Sequence, residues 1–97
     1  MELFIFARFH TLEGHEEEAA SVLREQVART REEPGCLSIH AYRSIRDPRL
    51  FYIHSRWIDE TAFEVHAQLP NTDRFIERMR ELVDHPLEPV TRAALIA

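Results

Sequence analysis

The chain contains no lysine: all twelve basic residues are arginine, so chemistry that needs a lysine Schiff base, including most pyridoxal phosphate catalysis, is excluded. Glycine is almost as scarce. Gly14 and Gly35 are the only two, which removes both the GxGxxG and the GxxxxGK[ST] loops and with them nucleotide cofactors held in that way. A single cysteine, Cys36, can neither close an intrachain disulfide nor build a structural zinc site. No apolar run approaches the length of a membrane span, and the opening MELFIFARFH has no basic segment before its short apolar stretch. Basic charge is outweighed, twelve residues against seventeen acidic ones for a net −5, and such a surface repels nucleic-acid phosphates and anionic membranes alike. These absences lead us to expect a reducing, cytoplasmic setting, and neither nucleic acid nor membrane as partner.

What is present is a globular composition: 97 residues, 44% hydrophobic, with nine aromatics. That length fits one domain over residues 1–97. Leu3 to His10 is apolar, aromatic and bounded by a polar stretch, and reads as a strand. From His15 to Glu33, Ala19, Ala20, Leu23, Val27 and Thr30 recur at helical spacing, with Glu16, Glu17 and Glu18 where the helix dipole favours carboxylates; Pro34 and Gly35 end the segment. Cys36 to Ser44 and Leu50 to Trp57 flank an Asp47-Pro48 turn and predict a hairpin. Asp59 is placed to cap a helix with Ala62, Phe63, His66 and Leu69 on one face, which Pro70 interrupts. Asn71 or Thr72 is expected to cap a further helix, and Val90 to Ile96 to form the last strand. The order β-α-β-β-α-β is the ferredoxin-like plan: α+β, with one antiparallel sheet and its helices on one face.

Alternation assigns the two faces of that sheet. Leu3, Ile5, Ala7, Phe9, Leu37, Ile39, Ala41, Arg43, Phe51, Ile53, Ser55 and Trp57 share the side expected beneath the helices. Phe4, Phe6, Tyr42 and Tyr52 lie on the other side with Cys36, His40 and His54, where no helix is left to cover them. An aromatic patch of this kind implies a partner, and its copy in a second subunit fits, so a homodimer is expected. Pairing Ser44 with Leu50 makes His40 and His54 cross-strand neighbours, with His10 at the same parity. Two imidazoles fall short of a metal site, and none is assigned.

The run Glu33-Pro34-Gly35-Cys36-Leu37, followed by Tyr42-Arg43-Ser44, Asp47-Pro48, Phe51, Trp57, Asp59-Glu60, Ala62 and His66, resembles the antibiotic biosynthesis monooxygenase family over nearly the whole chain. The resemblance implies a dimeric α+β barrel in which two sheets face each other, with a pocket between sheet and helices in each subunit. It implies oxygenation of quinols or related phenols without metal or flavin, so no cofactor is expected. This chain departs from the family pattern at Ser55, where a glutamate is frequent, and at Asn71, where a second histidine is common. It carries Ala7, Arg8 and Ile76 at the positions that matter to the haem-degrading branch, which argues against that activity.

His66, on the apolar stripe of its helix, is the candidate general base: a neutral imidazole there can take the proton of a phenol. The alternative is a hydrogen-bonded core histidine. Trp57 and Phe51 are candidate walls for a flat ligand, with core packing the weightier role for Trp57. Ser55 and Asn71 are candidate hydrogen-bond donors to a substrate oxygen, although capping is favoured for Asn71. Arg43 is the one charge on the helix-covered face and a candidate to orient an anion, with snorkelling to solvent as the default. The expected function is a cofactor-independent monooxygenase of a small hydroxylated aromatic. The alternative is a non-oxygenase binder or isomerase-like protein on the same dimer.

Overall fold

The computed structural model describes residues 1–97. The elements are β1 (Leu3–His10), α1 (Glu16–Thr30), β2 (Cys36–Arg43), β3 (Leu50–Trp57), α2 (Glu60–Ala67), α3 (Pro70–Leu82) and β4 (Thr91–Ala93). The four strands form one sheet in the order β2-β3-β1-β4, and every pairing is antiparallel. This is the expected ferredoxin-like α+β fold. The sheet is open, with β2 and β4 as its edges.

Strand β3 shows the alternation most clearly. Phe51, Ile53, Ser55 and Trp57 are buried beneath the helices, while Tyr52 is exposed and His54 and Arg56 are half-buried on the opposite face. Pairing of His40 with His54 and of Tyr42 with Tyr52 sets the hairpin register as expected, and the Ser44 N–H donates to the Leu50 carbonyl at its closed end. The bare face carries Phe6, 49% exposed, and Tyr42, 51% exposed. His54 stacks on the Phe6 ring at 4.7 Å.

The parity expected at the start of β2 needs correction. Cys36 pairs with Trp57 but Ser38 with Arg56, so one residue of β2 bulges between them. The extra residue shifts everything N-terminal to it to the other face. Leu37 is therefore 46% exposed, and Cys36 packs under the helices against Trp57 and its neighbours.

Two boundaries also differ from expectation. Strand β4 is only three residues long, where Val90 to Ile96 was expected. Its pairing of Phe4 with Ala93 would set Leu95 opposite Glu2, beyond the end of β1, so Leu95 and Ile96 have no strand to join. Pro89 on the other side has no N–H to give to a ladder. Helix α3 begins at Pro70 with Leu69 as an uncapped extended residue, and neither Asn71 nor Thr72 caps it. Proline at the first helical position has its φ already set for the helix and lacks one of the four N–H groups that a helix start leaves unpaired.

The main core joins Leu23 and Val27 of α1 with Ile39, Phe51 and Ile53 of the sheet and with Met79 and Leu82 of α3. A second small cluster of Ile5, Trp57 and Phe63 sits at the other end of the sheet beneath α2. Gly35 lets α2 approach there, since a Cβ on it would stand 2.3 Å from the Ala62 Cβ. Arg92 of β4 closes that end: its guanidinium lies over the Phe63 ring at 5.1 Å and bonds Glu60 (2.8 Å) and Glu64. No helix is long and apolar enough to cross a membrane.

Candidate active site around His66

Asp59 starts the local construction. Its Oδ1 accepts the Ala62 N–H at 2.8 Å, capping α2 as expected and fixing the rotation of its first turn. Phe63 and His66, three residues apart, then share the face turned toward the sheet. His66 is 8% exposed and lies 4.8 Å from the Trp57 ring and 5.6 Å from Phe63. Trp57, at the end of β3, is 1% exposed. Its indole N–H donates to the Ser55 hydroxyl at 3.0 Å, a bond wholly within the buried face of β3.

Glu33 completes the group. It lies in the turn between α1 and β2, where its N–H donates to Thr30 and its carbonyl accepts from Cys36. Both carboxylate oxygens lie 2.9 Å from His66 Nδ1. An ionised carboxylate can only accept, so Nδ1 carries the hydrogen, and in the neutral imidazole Nε2 is then the atom with the lone pair. The backbone of His66 is held as well, because the buried Thr72 hydroxyl donates to its carbonyl at 2.7 Å. A carboxylate behind Nδ1 fixes the tautomer and stabilises the imidazolium that forms when Nε2 accepts a proton, which is how a histidine is set up as a general base. Beside this pair, burial and the charge of Glu33 push the Cys36 thiol up, which keeps it protonated and poorly nucleophilic.

The candidate residues thus divide. Ser55, Trp57 and His66 come together. Phe51 does not: it lies six residues from Trp57 along β3, about 20 Å away at strand spacing, within the main core. Arg43 sits at that same far end, its guanidinium 4.9 Å from the Phe51 ring centroid, donating to the Pro48 carbonyl and to Glu17. Alternation places residues on a face, but a face this long holds more than one neighbourhood. Asn71 points to α1, where its Oδ1 accepts from Arg29 at 3.0 Å and from Arg74. Glu33, which residue-type reasoning did not single out as a site residue, carried one signal: it directly precedes the Pro34-Gly35 turn onto which α2 packs.

His10 has no part in a histidine cluster with His40 and His54. Its Nδ1 lies 2.6 Å from Asp84 and its Nε2 2.8 Å from Asp47, so both ring nitrogens face carboxylates. Arg49 and His85 also bond Asp84, tying the end of β1, the hairpin turn and the segment after α3 into one charged network.

The profile of the antibiotic biosynthesis monooxygenase family matches residues 3–85. The chain belongs to that family. Among solved structures of similar fold, Rv0793 from Mycobacterium tuberculosis superposes with a TM-score of 0.91 at 23% identity, over 100% of this chain and 97% of that one. PA3566 from Pseudomonas aeruginosa superposes with a TM-score of 0.87 at 30% identity, over 99% and 95%. A structure described as an antibiotic biosynthesis monooxygenase gives 0.89 at 21% identity, over 98% and 99%. The Synechocystis protein sll1783, uncharacterised by name, is 28% identical over 72 residues. Those residues are 74% of this chain and 49% of sll1783, so the chain spans about half the length of that curated relative. Membership of the monooxygenase family therefore rests on the sequence profile, and these structures share its fold.

Proposed function

We propose that this member of the monooxygenase family oxidises a small hydroxylated aromatic, a quinol, with dioxygen and without a bound cofactor. The observation that carries the reading is the part-buried Glu33-His66 pair packed against Trp57 and Phe63: a base with a fixed tautomer, held among aromatic side chains. In this scheme His66 Nε2 takes the proton of a substrate hydroxyl, and Glu33 holds the resulting imidazolium. The electron-rich phenolate then reduces dioxygen by one electron, and the radical pair closes a carbon–oxygen bond at the unsubstituted ring carbon ortho to the hydroxyl. Loss of the proton on that carbon, with cleavage of the peroxide O–O bond, leaves a new carbonyl and one water. One quinol and one dioxygen thus give one hydroxyquinone and one water, and the substrate supplies all the electrons. Burial of His66 supports this role, since a base with little water around it stabilises its developing charge through Glu33 rather than through solvent.

The protein works as a homodimer in this reading. A second copy covers the bare face of Phe4, Phe6, Tyr42 and Tyr52 through a two-fold contact, and the two open sheets close into an α+β barrel. An oxygen electrode with a panel of benzo- and naphthoquinols tests the function. Saturable uptake with one dioxygen consumed per quinol supports it. Ligand binding without uptake would instead assign the chain to binding or isomerisation.

A further inference from the structure

Away from His66, α1 and α3 enclose a groove of about 240 Å³ on the outer side of the helical layer. Arg29, Arg74 and Arg78 line it against one carboxylate, Glu25. In a chain of net charge −5 the groove thus holds a local excess of two positive charges. Glu25 is shared, accepting from Arg29 at 2.8 Å and from Arg78 at 3.0 Å. Arg29 and Arg74 both donate to a single neutral atom, Asn71 Oδ1. An amide oxygen satisfies two donors but neutralises neither cation, so Arg29 and Arg78 share the single Glu25 carboxylate while Arg74 has no carboxylate partner of its own. Gln26, only 6% exposed, also lines the groove, and its side-chain amide bonds no other group of the protein. Its amide atoms stay open to the groove, where a ligand can meet them.

We propose that this groove is a binding site for a phosphate monoester with an apolar, ring-sized substituent. The phosphate carries close to two negative charges near neutral pH, which matches the excess, and its oxygens suit the planar fork of guanidinium. A monocarboxylate would leave one cation unmatched. Val22 and Phe75 supply the apolar part of the lining, the surface that favours a hydrocarbon group on the ester over free phosphate. Gln26 offers both donor and acceptor to the phosphate or its ester oxygen.

Titration of the full chain with phenyl phosphate at low ionic strength, followed by backbone amide NMR and calorimetry, tests the site. Saturable shifts confined to α1 and α3 are expected, with Arg74→Gln/Arg78→Gln weakening binding by about tenfold or more. Benzoate and inorganic phosphate, compared on wild type at matched ionic strength, should each bind at least about fivefold more weakly. Absence of saturable shifts, or binding unchanged in the double variant, overturns the proposal. Equal binding of benzoate overturns the phosphate class, and equal binding of inorganic phosphate overturns the role given to Val22 and Phe75. These wild-type comparisons stand even if the double variant does not fold.

Discussion

Glu33 and His66, 33 residues apart in the chain, meet through a contact in which both oxygens of one carboxylate lie 2.9 Å from a single imidazole nitrogen. Neither residue is positioned by its own helix alone. Glu33 is set by the turn that ends α1, His66 by the Asp59 cap at one end of α2 and by Thr72 at the other. The contact therefore depends on the packing of α2 against that turn, which Gly35 permits.

Glu33→Gln keeps the size of the side chain and removes its charge. The imidazolium formed during proton transfer loses its counter-ion, so kcat should fall by roughly ten- to a hundredfold with KM nearly unchanged. Steady-state kinetics with the best quinol, with circular dichroism as a check on folding, measure this. A rise in KM at constant kcat would assign Glu33 to substrate binding instead.

Ser55→Ala strands the Trp57 indole N–H inside the protein. Leaving a buried donor unsatisfied costs on the order of 1–3 kcal/mol, which urea denaturation should show as a lower midpoint at constant slope. An unchanged midpoint would mean that water reaches Trp57 and that this end of the sheet is not dry.

The His10 network gives stability a pH dependence on the alkaline side. Hydrogen bonds to Asp84 and then Asp47 raise the His10 pKa above 6.5, so its contribution is fully present below 6.5 and is lost as pH rises through the folded value. Asp84 has the opposite sign: His85 and then His10 lower it from 3.8 to about 2, and its contribution, present above 3.8, fades as pH falls toward 2. Urea midpoints of wild type should therefore decline from pH 6.5 upward, and His10→Gln should flatten that decline. Parallel curves for the two proteins would remove His10 from the account.

Phe6→Glu places a charge in the middle of the bare aromatic face. Sedimentation velocity should show the wild type near twice 11.5 kDa and the variant shifted toward monomer, with helix content retained. A wild type that sediments as a soluble monomer contradicts the dimer.

Much of this architecture was legible because the residues obey a single period. Phe51, Ile53, Ser55 and Trp57 alternate without a break, and Asp59 precedes Ala62 at capping distance, so β3 and the start of α2 follow from local rules. The misreadings fall where a local rule met a tertiary one. The bulge between Cys36 and Ser38 reversed the sides of Cys36 and Leu37, and alternation has no term for an inserted residue. Asn71 has the right chemistry for a cap, but Pro70 starts α3 without one, leaving the amide to the arginines of the neighbouring groove. Phe51 and Arg43 share a face with Trp57 yet lie a strand's length from it. Glu33 belongs to no periodic stripe, and only the approach of α2 to the Pro34-Gly35 turn gives its carboxylate a role.

The proton-abstracting role of His66 is tested most directly by oxidation of a quinol under ¹⁸O-labelled dioxygen, with wild type and His66→Ala compared in single turnover. The account predicts one labelled atom in the hydroxyquinone and the other in water, and a rate reduced by about a hundredfold or more in the variant. A rate unchanged by His66→Ala, or a product without label, would contradict it.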